Sequence, residues 1–153
     1  MAQKKLTAEL IMFKTKTNNL DKIKNLNLCG NDLQDISIVS EMASLEVLSL
    51  SVNNINTLKD VAQCSNLKEL YIRRNNIDSM AELDYLKSLP KLRIAWISEN
   101  PIASQRGYRN YLIRNLPSLQ KLDNIEITYE ERQKAILADD DDVARPYEDD
   151  RNR

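Results

Sequence analysis

The sequence predicts an α/β solenoid: short parallel strands stacked along one axis, each returning through a helical or 3₁₀ turn. Three observations predict it. Asn31, Asn53 and Asn75 stand 22 residues apart, and Asn100 follows after 25. Each of these residues ends the same apolar pattern. The four copies run Ile23-x-x-Leu26-x-Leu28-x-x-Asn31-x-Leu33, Leu45-x-x-Leu48-x-Leu50-x-x-Asn53-x-Ile55, Leu67-x-x-Leu70-x-Ile72-x-x-Asn75-x-Ile77 and Leu92-x-x-Ala95-x-Ile97-x-x-Asn100-x-Ile102. All twelve positions of the leading triplets are apolar, with only Ala95 undersized. One such unit cannot bury its own apolar face, whereas four stacked units with caps can.

In chain order, residues 1–19 read as a helical N-terminal cap. Thr7 is placed to cap a helix carrying Leu6, Leu10, Ile11 and Phe13 on or near one face, and Asn18-Asn19 breaks it. Residues 20–103 hold the repeats. The L-x-L element alternates as a short strand does, so its apolar side chains enter one core. The Asn sits where the chain leaves the strand, and its amide is suited to bond backbone groups of neighbouring turns. The return path keeps apolar residues three apart, at Ile36, Val39 and Met42, then Leu58, Val61 and Cys64, then Leu83, Leu86 and Leu89. That spacing suits a helical or 3₁₀ convex side. The pattern and its period are those of the leucine-rich repeat.

Residues 104–138 read as a C-terminal cap. Tyr108 to Asn115 looks helical, Leu119 and Leu122 add a last strand, and Thr128 with Glu131 opens a final helix through about Leu137. Tyr108, Tyr111 and Tyr129 are expected to bury their rings and place a hydroxyl on a partner. Residues 139–153 carry seven acidic and three basic side chains, a net −4 that leaves +3 on the rest of a chain whose overall charge is −1. This composition predicts a disordered acidic tail, or a linker to a missing C-terminal segment.

Composition excludes several function classes. There is no His, the commonest general base and metal ligand. The two Cys lack C-x-x-C spacing, no Gly-rich phosphate loop or nucleophile elbow occurs, and Asp139–Asp142 lacks the Gly and terminal Glu of a calcium loop. No catalytic residue, cofactor or metal is expected. The +3 body is too scattered to be a nucleic-acid footprint. No run approaches the roughly 18 apolar residues of a membrane span, and the first residues lack a secretory apolar core. Cys29 and Cys64 read as small, buried or half-buried free thiols of a reducing compartment, cytosolic or nuclear.

The strand alternation that sends Leu26 and Leu28 inward sends other side chains onto the concave face. These are Asn25, Asn27 and Cys29, then Val47, Ser49 and Ser51, then Glu69, Tyr71 and Arg73, then Ile94, Trp96 and Ser98, with Lys121 and Asp123 from the last strand. The only Trp of the chain thus falls outward beside Tyr71 and Arg73, the composition of a binding hot spot. The partner-binding candidates are Val47, Ser49, Ser51, Glu69, Tyr71, Arg73, Arg74, Ile94, Trp96, Ser98 and Lys121. Two alternatives stay open: Trp96 leans on Tyr71 merely to close the sheet surface, or the C-terminal cap or tail folds over it. Arg73 and Arg74 either pair with Glu69 and Glu99 or grip an acidic partner.

Several stretches go beyond a generic repeat. They are Asp35-Ile36-Ser37-Ile38-Val39-Ser40-Glu41-Met42, Ser44-Leu45-Glu46-Val47-Leu48-Ser49-Leu50-Ser51-Val52-Asn53 and Leu70-Tyr71-Ile72-Arg73-Arg74-Asn75. Two more are Ala81-Glu82-Leu83-Asp84-Tyr85-Leu86-Lys87-Ser88-Leu89-Pro90 and Leu116-Pro117-Ser118-Leu119-Gln120-Lys121-Leu122-Asp123-Asn124. Together, over roughly residues 5 to 135, they resemble the N-terminal domain of the cilia- and flagella-associated protein 410 family. The resemblance implies a non-enzymatic adaptor at the basal body and ciliary base, acting in cilium formation. It also implies a C-terminal oligomerising helical segment, missing here, and association with a NIMA-related kinase, which is not assigned to this domain. Other short capped repeat domains are similar in outline. They include a spliceosomal adaptor, histone-binding nuclear proteins and a phosphatase regulatory subunit, so nuclear and phosphatase roles are the alternatives.

Overall fold

Each Leu-x-Leu alternation makes a three-residue strand: β1 (Asn25–Asn27), β2 (Val47–Ser49), β3 (Glu69–Tyr71) and β4 (Ile94–Trp96). In the computed structural model, which describes residues 4–137, they pair in parallel and in chain order. Leu26, Leu48, Leu70, Ala95 and Leu122 form one inward row across the sheet, and all are buried. The apolar residues of the return paths, from Ile36 to Leu89, are buried with them. Those paths are 3₁₀ turns at Ser37–Glu41, Val61–Gln63 and Asp84–Ser88. The third is preceded by the helical turn α2 (Met80–Leu83), where Ser79 accepts from Ala81 N. The 25-residue period accommodates this extra turn.

The Asn ladder does what the spacing predicts. Asn53 Oδ1 accepts from Asn31 N at 3.0 Å and Leu33 N at 2.9 Å, and its Nδ2 donates to Leu28 O at 3.1 Å and Leu50 O at 2.8 Å. Asn75 Oδ1 accepts from Ile55 N and its Nδ2 donates to Leu50 O and Ile72 O. Asn100 repeats this with Ile77 N, Ile72 O and Ile97 O. Inner carbonyls such as Leu50 O and Ile72 O are therefore shared between two amides. The residue before each Asn lies in the left-handed region: Gly30 at φ 73°, Val52 at 59°, Arg74 at 57° and Glu99 at 60°. Only the first unit places glycine, the residue that adopts this conformation without strain, there.

The N-terminal cap differs in part from expectation. α1 (Ala8–Thr15) is capped by Thr7, whose hydroxyl accepts from Leu10 N. Leu6 precedes the helix, buried beside the parallel bridge between Lys5 and Asp35. Ile11 alone within α1 is fully buried, while Phe13 is 69% exposed. A helix this short turns Phe13 away from the face that Ile11 presents to the core. It ends before Asn18-Asn19, at Lys16 in the left-handed region with its N–H on Met12 O.

The C-terminal cap is α3 (Tyr108–Asn115), β5 (Lys121–Leu122), β6 (Ile125–Glu126) and α4 (Tyr129–Leu137). β5 joins β4 in parallel and β6 turns back antiparallel, an element outside the repeat pattern. Tyr108 is buried with its hydroxyl on Asp123 Oδ2 at 2.7 Å, and Tyr111 OH bonds Asp84. Tyr129 departs from the expected role: it is 75% exposed on the outer side of α4. Thr128 Oγ1 accepts from Glu131 N, but the Glu131 carboxylate turns to Arg109 instead of back to the cap. Arg109 also donates to Leu122 O, and Arg132 to the Ile113 and Leu119 carbonyls, so two guanidiniums tie α3, β5 and α4 together. Asp123, expected on the concave face, has φ 53° and accepts from Ile97 N and Ser98 N. It thereby takes up donors at the end of β4. The acidic-tail expectation for residues 139–153 lies outside the described residues.

Candidate functional site

The parallel register aligns outward side chains into columns running across the strands. Asn25, Val47, Glu69, Ile94 and Lys121 form one; Asn27, Ser49, Tyr71 and Trp96 form the next. Cys29, Ser51, Arg73 and Ser98 follow two positions on. Their level is fixed by the bonds from Gly30 N to Ser51 O, from Val52 N to Arg73 O and from Arg74 N to Ser98 O. Ten of the eleven candidate binding residues thus share one surface. Arg74 does not, because the left-handed turn before Asn75 carries it off the strand.

The centre of this surface is a linked group. Tyr71 and Trp96 stand side by side in adjacent strands. The Arg73 guanidinium lies 5.6 Å from the centre of the Trp96 ring, and Arg73 Nε pairs with Glu99 Oε2 at 2.9 Å. Trp96 Nε1 donates to Ser98 Oγ at 2.8 Å. Tyr71 OH donates to Glu69 Oε1 at 2.6 Å, and Glu69 Oε2 meets Arg93 at 3.5 Å. Burial, then the bond to Glu69, pushes the Tyr71 phenol up to about 12. These half-exposed ion pairs contribute little stability. They hold the aromatic rings in place instead, and a positioned Trp–Tyr–Arg cluster is what recurs at binding hot spots. Of the pairings open to Arg73 and Arg74, the structure makes Arg73 with Glu99, while Glu69 takes Arg93, which the alternation did not single out because it precedes the strand.

Val47 and Ile94 are half-buried in the first column, supplying an apolar flank. Lys121 is half-buried opposite Glu126 of β6. At the other end Lys14 and Thr15 of α1 join Asn25, Asn27 and Cys29 around an open cleft of about 520 Å³. Cys29 is exposed, against the expectation of a buried or half-buried thiol, because it is the last outward residue before the Gly30 turn. Cys64 is buried, its thiol on Val39 O and pushed up to about 11 by burial. Lys14 was not visible as a site residue, since only the fold brings α1 beside β1. Among the described residues no three His, Cys, Asp or Glu side chains cluster to hold a metal, and no helix is long and apolar enough to cross a membrane.

Residues 5–140 match the Leucine-rich repeat family. The chain is 47% identical over 145 residues to "Cilia- and flagella-associated protein 410" of Mus musculus, covering 94% of this chain and 58% of the mouse protein. It is 48% identical over 144 residues to the protein of that name in Homo sapiens, covering 93% and 56% respectively. The chain therefore spans little more than half the length of these relatives. Among solved structures, the Drosophila melanogaster SNF/U2A' complex contains a chain that superposes with a TM-score of 0.68 at 23% identity, over 88% of this chain and 92% of that one. At that identity the likeness concerns the fold alone. The mouse and human relatives are homologues of this chain, and the chain belongs to the leucine-rich-repeat family.

Proposed function

We propose that this chain is a non-enzymatic adaptor whose concave face binds an extended segment of a partner protein, and that it acts at the ciliary base in cilium formation. The observation that carries the binding reading is the Tyr71–Trp96 pair, in register across β3 and β4 and braced by Arg73, Ser98 and Glu69. Aromatic rings held on an open sheet offer area at low entropic cost. The ciliary setting rests on the names of the relatives. The resemblance implies association with a NIMA-related kinase, which we do not assign to this domain, and the cytoplasm, basal body and ciliary base as the location.

The test is proximity labelling in ciliated cells with the full chain and with Tyr71→Ala/Trp96→Ala, identical folding first being confirmed by circular dichroism. Ciliary-base proteins labelled by the parent and lost by the variant support the reading. Equal labelling by both removes the concave face from it. Histones or splicing factors in place of ciliary proteins overturn the setting.

A further inference from the structure

The concave face is not chemically uniform along its length. Its two carboxylates near the aromatic centre are already engaged, Glu69 by Arg93 and Glu99 by Arg73. The opposite end, over β1, presents Lys14 without an ion pair among the described residues. No carboxylate lines the cleft there. Asn27 Oδ1 accepts from Cys29 N at 3.1 Å, which occupies that acceptor and leaves its Nδ2 as a donor. Asn25 makes no side-chain hydrogen bond among the described residues and is exposed. Thr15, by contrast, is satisfied, donating to Ile11 O. One ammonium with no carboxylate beside it and two side-chain amides therefore line a cleft of about 520 Å³. That is donor chemistry for a carboxylate.

From this we infer that the α1–β1 cleft is a carboxylate subsite, and that the partner segment is acidic at one end and apolar at the other. The inference rests on the concave-face reading and specifies its ligand. Strand spacing is about 4.8 Å, so the cleft at β1 lies roughly 10 Å from Tyr71 and 14 Å from Trp96. An extended peptide rises about 3.3 Å per residue. The Asp or Glu of the partner thus sits three or four residues from a large apolar side chain that seats on the Tyr71–Trp96 pair.

The experiment is display selection of random twelve-residue peptides on the immobilised full chain, followed by fluorescence anisotropy of the selected peptides. The expected result is enrichment of an aromatic or large aliphatic residue with Asp or Glu three or four positions away. Lys14→Glu, at an exposed position, should weaken such a peptide about tenfold and shift fresh selections toward Lys or Arg at that position. Asn25→Ala should weaken it about threefold. Apolar enrichment without an acidic preference, or indifference to Lys14→Glu, overturns the carboxylate subsite while leaving the concave face as the binding surface. Selected peptides insensitive to both Lys14→Glu and Tyr71→Ala/Trp96→Ala overturn the concave-face reading itself. Selection that succeeds only after residues 139–153 are removed assigns the cleft to the chain's own acidic segment and overturns the partner assignment.

Discussion

Replacing Asn53 by Ala tests the ladder quantitatively, because the structure shows which groups lose a partner and which keep one. Leu33 N–H is buried and Asn53 Oδ1, at 2.9 Å, is its acceptor. Asn31 N–H, partly buried, uses the same oxygen at 3.0 Å. The carbonyls fare better. Leu28 O keeps Asn31 Nδ2 at 2.9 Å, and Leu50 O keeps Asn75 Nδ2 at 3.0 Å. The cost is thus two orphaned donors, one of them able to reach water. At about 1–3 kcal/mol for a fully buried orphan and less for the second, the sum is about 2–4 kcal/mol. Asn75→Ala orphans Ile55 N alone, since Leu50 O keeps Asn53 and Ile72 O keeps Asn100. It should cost about 1–3 kcal/mol, always less than Asn53→Ala. Urea unfolding followed by far-ultraviolet dichroism, with both variants at one slope, measures the difference. Equal losses, or a loss below about 0.5 kcal/mol at Asn53, would refute the argument that the ladder stabilises chiefly through its shared acceptor oxygens.

Further outcomes follow from other sites. Val52 is β-branched at φ 59° and 41% exposed, so Val52→Gly should raise stability by about 1 kcal/mol; an unchanged or lower melting temperature would contradict this. Arg109→Ala removes a bidentate partner from Glu131 and a donor from Leu122 O, and should cost about 1–3 kcal/mol at pH 7 in chemical denaturation. The bond to Arg109 holds the Glu131 carboxyl below its usual range. That contribution is present above the unfolded-state carboxyl pKa and fades as pH falls through the lower folded value. The difference between parent and Arg109→Ala should therefore narrow in acid, and a pH-independent gap would exclude the pairing as its source. A thiol reagent should modify Cys29 at once and Cys64 only on unfolding, because Cys64 is buried with its thiol pushed up to about 11; two equally fast thiols by mass spectrometry would refute the core packing.

What the sequence showed and what it concealed have different physical origins. The strands, the Asn ladder and the concave columns repeat, so each unit checks the others, and periodicity alone placed Tyr71 beside Trp96. The caps do not repeat. Helical spacing put Phe13 near Ile11, yet which side of a two-turn helix meets the core depends on the angle at which α1 docks. Tyr129 carried the same ring and hydroxyl as Tyr108, and nothing local separates them; only α3 packing under the solenoid end buries one and leaves the other outside. The roles of Arg109 and Arg132 are likewise set by carbonyls and a carboxylate between 13 and 22 residues away. Asp123 looked like one more outward position because the alternation was carried one residue too far, past a strand that ends at Leu122.

Asp123 also bears on how such a molecule changes size over evolutionary time. Its carboxylate occupies the donors at Ile97 and Ser98, and β6 folds back beside β5. Duplicating a unit after this point would have to dismantle the terminus first. Inserting 22 residues between two Asn layers asks for nothing new, since each layer already presents its neighbour with an amide oxygen for a buried N–H and a carbonyl for an amide N–H₂. Growth by insertion would lengthen the groove by about 4.8 Å per added unit while both ends stay as they are. Relatives with longer grooves should therefore differ in the middle and keep recognisable termini.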